Sequence, residues 1–94
     1  MTGLKVVCWQ EIPSLVEAKE GRKTHKVQLS QRFQELIDLI AMKRGLDGSD
    51  AYLTEWRKED RAATDLPPEE AAATLAAEIE ATYDEVRKKA LEKS

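Results

Sequence analysis

The sequence predicts an α+β domain: a small antiparallel sheet of about three strands, drawn from the first third of the chain, packed against three helices drawn from the rest. Two observations lead there. Residues 4–9 (Leu-Lys-Val-Val-Cys-Trp) form an apolar run, followed by a polar stretch with Gly21 at its centre. Everything after Ser30 carries helical spacing instead. With 94 residues the chain makes one domain over 1–94, with strands and hairpin over 4–29 and helices over 30–94.

Strand 1 is predicted over 4–11, with Leu4, Val6 and Cys8 on one side and Val7 and Trp9 on the other. A strand apolar on both faces belongs at the centre of a sheet or under a cover. Pro13 has no N–H for a ladder and marks the strand's end. Strands 2 and 3 form a hairpin, and Gly21 supplies the positive φ that its turn asks for. On strand 3, Val27 and Leu29 share a face with His25 and Lys23, so the apolar end points to the core and the basic end lies at the turn.

Helix 1 is predicted over 31–44 with Ser30 as N-cap. Phe33, Leu36, Ile37, Ile40 and Ala41 make its buried stripe, and Gly45 is its C′ residue. A loop at Leu46, Asp47 and Gly48 leads to a short helix 2 over 50–61, capped by Ser49 or Asp50, with Tyr52, Leu53 and Trp56 on its apolar face. Asp65-Leu66-Pro67-Pro68-Glu69-Glu70 starts helix 3: prolines fall where first-turn N–H groups have no partner, and acids sit at the positive end of the dipole. That helix is predicted as one piece over 68–91, along Ala72, Leu75, Ala76, Ile79, Tyr83, Val86 and Ala90.

Several function classes lose support from composition alone. The net charge is −3, so no global basic field draws the chain to nucleic acid or anionic lipid. Five aromatic residues are few for a base-stacking surface. No run approaches the length of a membrane span, and the start lacks a signal-peptide pattern, so the cytoplasm is the expected location. The single cysteine permits no internal disulfide.

Chemistry has few places to sit. Cys8 is the one nucleophile candidate, but a thiol needs a base and a positive surround to ionise, and no spacing puts the single His25 beside it. A cysteine in an apolar strand reads as core. One Cys and one His fall short of a zinc site, and three glycines at 21, 45 and 48 do not make a phosphate loop. The sequence thus offers no catalytic residue, no metal site and no cofactor. What remains is surface. Arg22, Lys23 and His25 crowd the hairpin turn and, with Arg32, are candidates for holding a phosphate or carboxylate. Trp56, Tyr52 and Trp9 are candidates for meeting a protein partner, against the competing reading that they fill the core.

Trp9-x-x-Ile12-Pro13, Gly21-Arg22-Lys23, Arg32-Phe33 and Asp50-Ala51-Tyr52-Leu53-x-Glu55-Trp56-Arg57 together resemble the small bacterial virulence factor domain family. The resemblance runs over about 4–88, and its most specific part is the run from Asp50 to Arg57. The chain departs from it at Gln10-Glu11, where the relatives carry Arg-Asp. The resemblance implies no catalytic residue. It implies an accessory role, because stand-alone members sit near genes of folate- or corrinoid-linked one-carbon transfer. The expectation is a non-catalytic accessory or interaction domain for a larger metabolic enzyme. The alternative is a small anion-binding module on the basic hairpin. A homodimer through the edge of strand 1 is a second way of covering that strand.

Overall fold

The computed structural model describes residues 1–46, 48 and 50–93. It is an α+β domain built as one four-stranded antiparallel sheet with helices on one face. The chain runs β1 (Thr2–Trp9), β2 (Ile12–Glu20), β3 (Lys23–Gln28), α1 (Gln31–Lys43), α2 (Asp50–Thr54), β4 (Trp56–Thr64), α3 (Pro68–Glu80) and α4 (Tyr83–Glu92). Strand order is β3-β2-β1-β4, so the apolar β1 lies inside the sheet as its composition requires. Both of its edges are occupied, which removes the dimer through the edge of strand 1.

The fourth strand corrects the expectation of three. Residues 56–61, predicted as the second half of helix 2, pair instead with β1, from Trp9 opposite Trp56 to Leu4 opposite Arg61. Helix α2 is only Asp50–Thr54. The helical reading rested on Tyr52, Leu53 and Trp56, whose spacing suits one turn of helix but also suits a helix that stops before a strand. Pairing with a central strand outweighs so weak a local signal. Of the two caps considered for this helix, Asp50 is its first residue and Ser49 lies outside the described residues, as does Asp47 of the preceding loop.

Pro13 is the second correction. It does not end β1 but sits near the start of β2, buried and opposite Cys8 where the ladder shifts register. Such a bulge tolerates a residue without an N–H. The β1–β2 turn is Gln10-Glu11, with Gln10 in the left-handed region at φ 53°. The next turn follows the sequence: Gly21, at φ 60°, takes the first position of a two-residue hairpin between Glu20 and Lys23.

The core fills the space between sheet and helices. Val6, Trp9, Ile12, Val16, Phe33, Ile37 and Ile40 have no exposed surface. Helix α1 buries the five residues its spacing singled out. Its end is a Schellman motif: Gly45, at φ 70°, donates its N–H to Met42, and Leu46 donates to Ala41. Helix α3 lies over β2, β3 and part of β1.

The long final helix is broken. Thr82 separates α3 from α4, its N–H and hydroxyl both donating to the Ile79 carbonyl. An unbroken helix of that length would run to about 36 Å, well past a small sheet. Folding back instead stacks Tyr83 edge-on against Phe33 at 5.1 Å and buries Ala90. At the same corner the Ser30 hydroxyl bonds to Glu80 rather than capping α1.

The other face of the sheet is open and charged. Lys26, Glu17, Lys5 and Asp60 stand in one row across all four strands, alternating in sign.

Candidate functional site

The aromatic candidates meet at one end of the domain. The Trp9 indole N–H donates to the Tyr52 carbonyl at 2.9 Å, and the two rings lie 5.5 Å apart. Tyr52 in turn stands edge-on to Trp56 at 6.2 Å. Trp9 itself is fully buried, so it belongs to the core and cannot touch a partner. Tyr52 and Trp56 are half-buried and pack on that core with part of each ring outside.

The segment from Asp50 to Arg57 is pinned to the β1–β2 turn at its C-terminal end. Gln10 donates its N–H to the Glu55 carbonyl, and Arg57 returns a bond from Nε to the Gln10 carbonyl. From the other side Arg44 reaches Gln10, bonds Glu11 at 2.8 Å and contacts the Ala90 carbonyl. Burial pushes the Glu11 carboxyl up, but the bonds from Arg44 outweigh it and hold the group below its ordinary value. Gln10 and Glu11 thus act as struts for this end.

Around Tyr52 the surface forms a shallow concavity of about 270 Å³, lined also by Asp38, Ala41, Met42 and Gly48. Met42 is 64% exposed, and Leu53, next to Tyr52 on α2, is 68% exposed. Leu39, one helical turn before Met42, is also exposed. Sequence reasoning placed Leu53 on an apolar face but missed Leu39 and Met42. Their signal was that both lie off the buried stripe of α1 while remaining apolar.

The four basic candidates do not converge. Lys23 and His25 line a concavity of about 330 Å³ with Thr24, Pro67, Pro68 and Glu69, at the start of α3. Arg22 is exposed beside them in the turn. Arg32 is at the other end of α3, about 20 Å of helix away. There it bonds the Glu80 carboxylate at 3.0 Å and lies 4.4 Å over the Tyr83 ring. An anion at the hairpin would meet Lys23, His25 and Arg22 without Arg32, and with Glu69 opposing it.

Cys8 and His25 are also apart. His25 pairs with Ala18, Ala18 with Leu4, and Cys8 is four residues further along β1, a separation of roughly 15 Å. The thiol is buried beside Glu59 of β4. Burial, then the Glu59 charge, push it up to about 11, against the pull of Arg57 and Arg61. Glu59 is held between those two arginines at 2.8 and 3.7 Å. Such a thiol is protonated at neutral pH and makes a poor nucleophile. Among the described residues no group of three or more His, Cys, Asp or Glu side chains is placed to hold a metal ion. No helix among them is long and apolar enough to cross a membrane.

The family model described as "Virulence factor" matches residues 7–91, and the chain belongs to that family. No curated protein and no solved structure matches it. The matched stretch takes in the turn at Gln10, the aromatic end and the break at Thr82.

Proposed function

We propose that the domain is a non-catalytic interaction module that docks on a larger protein through its aromatic end. The observation that carries this is Met42, which lines the concavity at Tyr52 while standing mostly in solvent, with Leu53, the residue after Tyr52 on α2, mostly exposed as well. Large aliphatic side chains at this exposure, beside a half-buried Tyr and Trp, match the aromatic and apolar centre of a protein interface. The rigid base supports the reading, since Trp9, Gln10 and Arg57 fix the backbone under Tyr52 and Trp56. The separation of Cys8 from His25 supports a non-catalytic role.

The partner class we favour is a cytoplasmic metabolic enzyme of folate- or corrinoid-linked one-carbon transfer. That part rests on the family resemblance alone. The anion-binding alternative has weaker support, because Arg32 is engaged by Glu80 and Glu69 lies in the hairpin concavity.

The test is a pair of surface variants, Met42→Glu and Leu53→Glu. Both change side chains that are mainly solvated, so the fold is retained and partner capture is lost. Capture that persists in both variants would remove this surface from consideration. A thermal-shift screen with inorganic phosphate and folates addresses the alternative, which requires stabilisation by an anionic ligand.

A further inference from the structure

Strand β4 ends the sheet. It pairs with β1 on one side, and among the described residues no strand takes its other edge. Charged residues on an edge ordinarily discourage a neighbour. On β4 their order favours one neighbour in particular. Arg57, Glu59 and Arg61 stand opposite Cys8, Val6 and Leu4 and share the helix-side face, while Lys58 and Asp60 stand opposite Val7 and Lys5 on the open face. Helix α3 packs over β1, β2 and β3, and the Arg57 and Arg61 side chains remain 55% and 43% exposed.

Residues directly opposite in an antiparallel pair share a face and interact across it. Two copies of β4 related by a two-fold axis through Asp60 would place Glu59 of each opposite Arg61 of the other. That register also spans the strand from Trp56 to Thr64. The ladder irregularity between Arg61 and Thr64 lies beyond both Glu59–Arg61 contacts. Moving the axis to Glu59 sets Glu59 against itself and Arg57 against Arg61. Moving it to Lys58 sets lysines together and leaves only the first five residues of the strand paired. The one like-charge contact in the favoured register is Asp60 against Asp60, and each Asp60 already has Lys5 at 3.8 Å. The sheet's other edge offers nothing similar. β3 carries Lys23, His25 and Lys26 and no acid, so a second copy there would meet no opposite charge.

We propose that the chain forms a two-fold homodimer by antiparallel pairing of β4 with β4, centred on Asp60, which extends the sheet to eight strands. The occupant of this edge is a second copy because the strand's own charge order supplies the complement.

Sedimentation equilibrium of the full chain, from micromolar to near-millimolar concentration, tests it. Wild type is expected to dimerise. Glu59→Arg and Arg61→Glu each place like charges opposite, and each is expected to weaken the dimer about tenfold. An equimolar mixture of the two restores both pairs and is expected to associate as tightly as wild type. Circular dichroism confirms that each variant is folded. Asp60→Asn gives a reading independent of the Glu59 cluster: the Asp60 side chain is 86% exposed, and removing the central like charge is expected to tighten the dimer. The proposal is overturned by a wild type that stays monomeric, by single reversals that leave the constant unchanged, by a mixture that fails to restore association, or by Asp60→Asn having no effect.

Discussion

Glu80→Gln removes the charge that ties the end of α3 to the start of α1. The native carboxylate accepts from the Ser30 N–H at 2.6 Å and from its hydroxyl at 2.7 Å, and from Arg32 at 3.0 and 3.2 Å. A hydrogen bond to a charged group contributes about 1.5–3 kcal/mol when shielded from water. Here the Arg32 side chain is 47% exposed and that of Glu80 28%, so screening takes much of this away. The glutamine keeps an acceptor for Ser30. The net loss is then about 1–2 kcal/mol, and at about 4–8 °C per kcal/mol for a domain of this size the melting temperature falls by about 4–16 °C. The pH dependence has a definite sign. Burial raises the Glu80 carboxyl, but the bonds from Ser30 and Arg32 outweigh it and hold it below its ordinary 4.5. A group with a lowered native pKa stabilises the fold above its unfolded value and loses that contribution as the pH falls through the native one. Thermal unfolding followed by circular dichroism should therefore separate wild type from Glu80→Gln at pH 7 and bring them together in acid below pH 4.5. Equal melting temperatures at pH 7, or a gap that persists unchanged into strong acid, would refute the assignment of Arg32 and Glu80 as the clamp of this corner.

Four further outcomes follow from the same structure. Trp9→Phe removes the indole donor to Tyr52 and leaves a void in the core, so it should lower stability by about 2–3 kcal/mol in urea unfolding. Met42→Glu and Leu53→Glu alter mostly exposed side chains and should stay within about 0.5 kcal/mol of wild type in the same assay. Arg44→Met removes the group that lowers the Glu11 carboxyl, so Glu11 should titrate at higher pH by NMR while the domain loses about 1–3 kcal/mol. Cys8, with its pKa near 11 and only 2% of its surface exposed, should resist a thiol reagent at pH 8 in the folded protein and react promptly in denaturant.

What could be read from the sequence followed the strength of the local signal. Helix α1, predicted over 31–44 and found over Gln31–Lys43, was legible because its stripe, its glycine terminator and its core contacts agree, although the Ser30 hydroxyl turns to Glu80 instead of capping it. The hairpin at Gly21 was legible for the same reason. β4 was not, because an edge strand whose helix-side face is Arg57, Glu59 and Arg61 has no apolar alternation to detect. Its strand state comes from pairing with β1, a contact more than forty residues away in the chain. The break at Thr82 was hidden because the stripe through Tyr83, Val86 and Ala90 keeps helical spacing across it, and the two bonds from Thr82 to the Ile79 carbonyl leave no signal in that spacing. Of the candidate site, the sequence offered Tyr52, Trp56 and Trp9 together, and full burial with the indole bond to Tyr52 places Trp9 in the core instead. It grouped Arg32 with the hairpin cations because nothing in one chain's order tells which end of α3 each of them meets.

The central proposal, docking through the aromatic end, is tested most directly by affinity purification from the native organism. Tagged wild type, Met42→Glu with Leu53→Glu, and Glu59→Arg would be compared side by side, with the captured proteins quantified by mass spectrometry. Docking through the aromatic end predicts one protein captured in stoichiometric amount by wild type and by Glu59→Arg, and lost from the Met42→Glu, Leu53→Glu variant while that variant remains folded. No stoichiometric protein with wild type, or equal capture by all three, would contradict it.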